Sequence, residues 1–144
     1  MASATVLYTP QVLALATGLA AFRLDDAMTL RSEARSRGCG SSLTLGLALD
    51  DKGRVTRIGL RSQACAIGQA SAAIFAQAAA GRSIENLGET AHGVEHWLAG
   101  EGAMPDWPGL ATIAAARDYP GRHGALMLPW SAVLQLLPTR AAAG

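Results

Sequence analysis

Lysine is almost missing from this chain of 144 residues: Lys52 stands alone beside 11 arginines. With 11 acidic residues the formal net charge is +1, so no electrostatic case exists for nucleic acid or an anionic membrane as partner. Aromatic residues make up only 5% while Ala and Gly abound, which predicts closely approaching helices rather than a core built on large rings. No apolar run approaches the about 18 residues that a membrane-spanning helix needs. The stretch Met1 to Leu19 lacks the basic n-region and cleavage signal of a secretory peptide and carries Pro10 instead, so the expected compartment is the cytoplasm. Cysteine occurs twice, at Cys39 and Cys65, too few for a disulfide framework. In a chain that is not exported such a pair reads as thiols, metal ligands or packing.

The length predicts a single domain over residues 1–144, large enough to bury a core. Thr9-Pro10 reads as a helix start, with Thr as N-cap, Pro at the first position and Gly18 as the stop. Leu24 to Arg35 reads as an edge strand, followed by a turn over Arg35 to Gly40 in which two glycines flank Cys39. Leu43, Leu45, Leu47 and Leu49 alternate strictly with Thr44, Gly46, Ala48 and Asp50, a clean strand pattern. Asp50-Asp51-Lys52-Gly53 is a hairpin turn, and Val55 to Ser62 is the return strand. Ala66 to Ala80 is the strongest helix former, ended by Gly81. Glu89 to Ala99 and Leu110 to Arg117 read as further helices. In a final helix His123, Leu126, Met127, Trp130, Leu134 and Leu137 share one face. Pro129 is expected to kink that helix or mark its start, Pro138 to stop it, and residues 141–144 to fray.

Cys65 thus falls at a helix N-terminus, where unpaired backbone N–H groups and the positive dipole end favour a thiolate. Burial for packing is the competing reading for both cysteines, since free Cys is among the most buried residue types. The turn around Cys39 argues against it, because a packing residue rarely needs two flanking glycines. His123 could add an imidazole to the two thiols, giving a Cys₂His set whose fourth ligand would be water, Asp118, Ser41 or a partner chain. A helix-start histidine bonded to backbone or water is the plainer alternative. His92 and His96 lie one turn apart without a His-Glu-x-x-His pattern, which favours a solvated helix face. The three tryptophans read as core and loop anchors. Arg31, Arg35 and Arg37 form a wet edge that could also meet an acidic partner.

Three segments together resemble the U-type iron–sulfur cluster scaffold proteins, the group of IscU, SufU and the N-terminal domain of NifU. Cys39-Gly40 stands before a strand where that family carries Cys-Gly-Asp. Gln63-Ala64-Cys65-Ala66-Ile67-Gly68 is similar to the family's second cysteine motif at a strand-to-helix junction. Tyr119-Pro120-Gly121-Arg122-His123-Gly124-Ala125-Leu126-Met127-Leu128-Pro129-Trp130 resembles the Phe-Pro-x-Arg-x-Lys-Cys-Ala-x-Leu run, often followed by Trp, of the SufU branch. The resemblance runs from Thr9 to the last helix. It implies an α+β fold: a three-stranded antiparallel sheet with helices packed on one face. It also implies iron–sulfur cluster assembly as scaffold or sulfur-transfer accessory, with a cysteine desulfurase as partner.

The resemblance further implies that Cys39 and Cys65 bind zinc or a cluster, or carry sulfur, with His123 as a supplementary metal ligand. Two family ligands are absent. The family's Asp is set against Ser41 and its third cysteine against Gly124. The chain therefore reads as a divergent scaffold or accessory, a carrier rather than a catalyst. Two alternatives stand beside it: a binding or regulatory module that has lost metal, or a zinc-binding protein unrelated to cluster assembly.

Overall fold

The computed structural model describes residues 7–37 and 40–137. The expectations for Cys39, for Pro138 and for residues 141–144 lie outside that range. Helix α1 spans Pro10–Gly18 and starts where its cap predicts: the Thr9 hydroxyl accepts the Val12 N–H at 3.2 Å, and Pro10 sits where no N–H is needed. A 3₁₀ turn over Leu19–Ala21 continues it.

Strands β1 (Leu30–Arg35), β2 (Ser42–Leu49) and β3 (Val55–Gln63) form an antiparallel sheet in the order β1-β2-β3. The register pairs Ala34 with Leu43, Leu45 with Leu60 and Leu47 with Ile58, so one face carries the buried side chains. The β2–β3 hairpin is held by Asp50, whose carboxylate accepts the N–H groups of Lys52 at 2.9 Å and Arg54 at 3.0 Å. Those two bonds stabilise the ionised form and hold its pKa below the ordinary carboxylate value.

β1 is shorter than the alternation suggested: it begins at Leu30, not Leu24. Gly46 and Gly59 lie directly opposite each other on the second face of the sheet. A Cβ on Gly59 would come within 2.7 Å of the Arg23 carbonyl and the Leu24 Cα, and one on Gly46 within 2.7 Å of a Leu24 methyl. The two glycines let residues 23–28 cross that face in close contact instead of extending β1. Met28 is buried beneath this crossing, and the Leu60 N–H donates to the Phe22 carbonyl at 2.9 Å.

Helices α2 (Ala66–Ala79) and α4 (His123–Leu136) cover the first face, α4 over β1 and β2 and α2 against β3. α1 packs on α2, and α3 (Ile84–Leu98) packs on α4. Two 3₁₀ segments, Leu110–Asp118 and Pro120–Arg122, lead into α4. α3 starts at Ile84, five residues before the expected Glu89. The Ser83 hydroxyl accepts the Asn86 N–H at 3.1 Å as a cap, and Gly88 within the helix admits Leu137: a Cβ there would lie 2.7 Å from its methyl. α4 runs through Pro129 without ending.

The expectation of a core without large rings needs correction. Small residues do bring α2 and α4 together, but Phe75, Trp107 and Trp130 meet at the centre, Trp130 edge-on to Phe75 at 5.3 Å and to Trp107 at 5.1 Å. Their polar edges are satisfied: Trp107 donates to the Ile74 carbonyl at 2.9 Å and Trp130 to the Ser71 hydroxyl at 3.2 Å. Ser71 donates in turn to the Leu126 carbonyl at 2.6 Å, joining α2 to α4. Among the described residues no helix is long and apolar enough to cross a membrane.

Candidate functional site

The turn after β1 is closed by the Ser36 N–H donating to the Ser41 carbonyl at 2.8 Å, with Gly40 in the left-handed region at φ 70°. Cys39 lies outside the described residues. Ser36 and Ser41 are both buried. Ser36 shares the helix-facing side of β1 with Ser32 and Ala34, and Ser32 donates to the Ala132 carbonyl of α4 at 2.8 Å. Two turns nearer the α4 N-terminus, Ser36 lies against Gly124: a Cβ at Gly124 would collide with the Ser36 hydroxyl and lie 3.2 Å from its Cβ. Ser36, where this turn begins, therefore abuts the start of α4.

Cys65 is the N-cap of α2, in extended geometry at φ −66° and ψ 172°, and its carbonyl accepts the Gln69 N–H at 3.0 Å. Its thiol makes no capping bond and is partly exposed. Ser, Thr, Asp or Asn at this position would satisfy an orphan N–H of the first turn. Gln69 donates its side-chain amide to the Ala64 carbonyl at 2.9 Å, which ties the first turn of α2 to the residue before Cys65. The first turns of α2 and α4 touch at Gly68, where a Cβ would lie 2.7 Å from the Ala64 Cβ and 3.3 Å from both the Cβ and the carbonyl oxygen of Ala125. Pro129 has no N–H to offer that carbonyl, so the approach of α2 coincides with the gap in the α4 ladder.

His123 opens α4 with its Nε2 atom 2.7 Å from the Arg117 carbonyl. A carbonyl only accepts, so Nε2 carries the proton, and Nδ1 is the one lone pair left to the neutral ring. The plainer of the two readings of this histidine, a helix-start residue bonded to backbone, describes its contact. Arg117 donates to the Trp97 carbonyl at 2.9 Å, which ties the same segment to α3. His92 and His96 sit exposed on α3, His92 within 3.8 Å of Glu95.

Counting the family run residue by residue from Tyr119-Pro120 corrects the register given above. Arg122 takes the Arg, Gly124 the Lys, and Ala125 the third cysteine; Gly124 is one position short. The packing agrees. Ala125 is fully buried and faces the α2 turn that starts at Cys65, whereas Gly124 is exposed and faces Ser36. His123 therefore precedes the family's Lys position.

Four-coordinate zinc wants four N, S or O ligands, and iron–sulfur clusters are held by four thiolates. Ala125 offers a methyl group, Gly124 no side chain, and Ser41 a buried hydroxyl. That leaves the Cys65 sulfur, the His123 Nδ1 and the Cys39 position. Among the described residues no group of three or more His, Cys, Asp and Glu is placed to hold a metal ion. Among the described residues the donors do not make a closed four-ligand cage. Asp118, weighed as a fourth ligand, instead lines a cavity of about 330 Å³ with Leu7, Tyr8, Tyr119 and Arg122. Nothing in the sequence pointed to that cavity or to the hydrogen bond from Arg122 to the Tyr8 hydroxyl at 2.9 Å. The signal for Ser36 was available, since it continues the helix-facing parity of Ser32 and Ala34.

Residues 21–123 match the family described as NifU-like N terminal domain, and the match stops two residues before Ala125. A NifU-like protein (N-terminal) from Brucella abortus superposes with a TM-score of 0.81 at 26% identity, covering 91% of this chain and 92% of that one. A putative iron–sulfur cluster assembly scaffold protein for the SUF system from Fervidobacterium islandicum AW-1 superposes with a TM-score of 0.84 at 19% identity, covering 94% of this chain and all of the other. At that identity the second likeness speaks for the fold alone. No curated protein sequence matches. The sheet order, the cysteine at the α2 cap and the family match over most of the chain agree: this chain belongs to the NifU-like N-terminal domain family, the U-type iron–sulfur cluster scaffolds.

Proposed function

We propose that this single-domain chain serves iron–sulfur cluster assembly as an accessory carrier with an open, two-thiol site rather than as a self-sufficient scaffold. Cys39 and Cys65 are its thiolate donors, and a second molecule completes the coordination of whatever metal or cluster they hold. The observation that carries this reading is Ala125. A buried methyl packed on Gly68 stands where a U-type scaffold presents its third sulfur.

The partner that fits is a cysteine desulfurase, the sulfur source of this family. Sulfur passes in a balanced exchange: an acceptor thiolate attacks the outer sulfur of the desulfurase persulfide, forming its own persulfide and releasing the donor thiolate. Cys65 suits the acceptor role, because its sulfur is partly exposed at a helix N-terminus and is not engaged in capping. The chain needs reduced thiols for this, as the cytoplasm provides. His123 takes at most a minor part, through Nδ1.

The test is metal content. The protein is purified without chelator and analysed for zinc and iron as wild type, Cys39→Ser and Cys65→Ser, with and without the desulfurase. Substoichiometric metal alone, with capture in the complex lost in both serine variants, is the expected result. One firmly held equivalent in the isolated wild type overturns the open-site reading. Stable complex formation without any metal, unchanged in both serine variants, identifies a regulatory module instead.

A further inference from the structure

Most arginines of the described chain are occupied. Arg35 and Arg57 face carboxylates, while Arg31, Arg54, Arg82 and Arg117 donate to backbone carbonyls. Among the described residues Arg23, Arg37 and Arg61 have neither a carboxylate nor a hydrogen-bond partner, and Arg23 and Arg61 line one cavity of about 440 Å³ beside the β3 edge. Its other walls are apolar: Leu19, Phe22, Leu24 and Leu60, with Ala20. A second cavity of about 380 Å³ shares Leu19, Ala20 and Leu60 with it and is also lined by Ser62. The Ser62 hydroxyl is buried without a hydrogen-bond partner among the described residues. Gln69, bonded to the Cys65 carbonyl, also lines the second cavity, while the cavity of Arg23 and Arg61 has no residue of the Cys65 site in its lining.

Two unneutralised arginines beside Leu19, Phe22, Leu24 and Leu60 give this cavity the mixed polar and apolar lining that suits an amphipathic small molecule. Guanidinium pairs select carboxylate and phosphate through charge-assisted, often bidentate hydrogen bonds. A buried hydroxyl left unpaired gains by meeting a ligand group that can pair with it.

We infer that this cavity is a binding site for an amphipathic anion: a small molecule whose carboxylate or phosphate head meets Arg23 and Arg61 and whose apolar body lies against Leu19, Phe22, Leu24 and Leu60. The body extends toward Ser62 in the adjoining cavity. The site is separate from the cluster-assembly reading and stands or falls without it.

The probes are decanoate and decyl phosphate, with decanol as the uncharged control, titrated below their micelle points into the full chain. Binding is read by calorimetry and by amide shifts in the protein NMR spectrum. Saturable binding of either anion, with shifts confined to residues 19–24 and 60–62, is expected. Decanol should bind at least about tenfold more weakly, and the double variant Arg23→Gln/Arg61→Gln should lose at least about tenfold in anion affinity, since each charge-assisted contact is among the stronger hydrogen bonds. Both arginines are exposed, so an unchanged melting temperature of the variant shows that the fold is intact. Equal binding of anion and alcohol, equal binding by the variant, or no saturable binding overturns the proposal. So does arginine-dependent binding to anionic vesicles without binding of either free anion, which would make the patch a membrane-facing surface.

Discussion

At the scale of single residues, the proposed open site turns on one buried methyl group, that of Ala125. If Ala125 stands in the third position, Ala125→Cys should add a thiolate beside Cys65 and raise zinc affinity at least about tenfold, given that Zn²⁺ prefers a filled tetrahedral set. Gly124→Cys should not, because position 124 faces Ser36. Competition titration with a chromogenic chelator separates the two, and a gain in Gly124→Cys alone would restore the earlier register. Enlarging the fully buried Ala125 carries an overpacking penalty of roughly 1–3 kcal/mol, visible as a lower unfolding midpoint. Sequence showed that donors were missing, because Ser41 and the residues after His123 are not ligands. The register of the third position needed the count from Tyr119-Pro120, since Gly124 is as blank as Ala125, and the contact of Ala125 with Gly68 agrees with that count. His123 could not be judged from sequence either: its partner is a main-chain carbonyl six residues back, which no side-chain pattern reveals.

Among the elements, β2, β3 and α2 were legible because each carries a single uninterrupted period: alternating leucines, then an Ala-rich run between Cys65 and Gly81. The failures were positions where tertiary contact overrides local preference. Leu24 to Thr29 alternates like a strand, yet this segment crosses the sheet on Gly46 and Gly59. Gly59→Ala should therefore destabilise by roughly 1–3 kcal/mol, and more than Gly46→Ala. The obstacle at Gly59 includes backbone atoms of Arg23 and Leu24, whereas at Gly46 it is the end of a flexible leucine. Denaturant melts of the two variants check the order. Ser71→Ala should cost about 1–3 kcal/mol by leaving the Trp130 indole N–H and the Leu126 carbonyl short of a buried partner. The β2–β3 hairpin supplies a pH dependence. The pKa of Asp50 is held below its unfolded value, so its stabilising contribution is present above the ordinary carboxylate pKa and is lost as pH falls through the lowered one. Asp50→Ala should flatten that acid limb in melts taken as a function of pH.

For the whole molecule, the scarcity of aromatic residues misled about the core and was informative about the fold. Three of the few rings are gathered at one point between α2 and α4, while small residues elsewhere let helices and the 23–28 crossing approach closely. That packing leaves the first turns of α2 and α4 in contact, with Ser36 against the start of α4. The sheet, the helices on its first face and the family were all readable from motif order. The packing at the head of α4 was not, because only tertiary contact shows that Ala125 meets Gly68 of α2 while Gly124 meets Ser36. The most direct test is anaerobic reconstitution with ferrous iron and sulfide, followed by gel filtration and measurement of iron and acid-labile sulfide. Wild type alone should emerge with little of either, and Ala125→Cys or wild type bound to a desulfurase should retain both. Wild type that keeps a stoichiometric cluster by itself, as a monomer, would contradict the account.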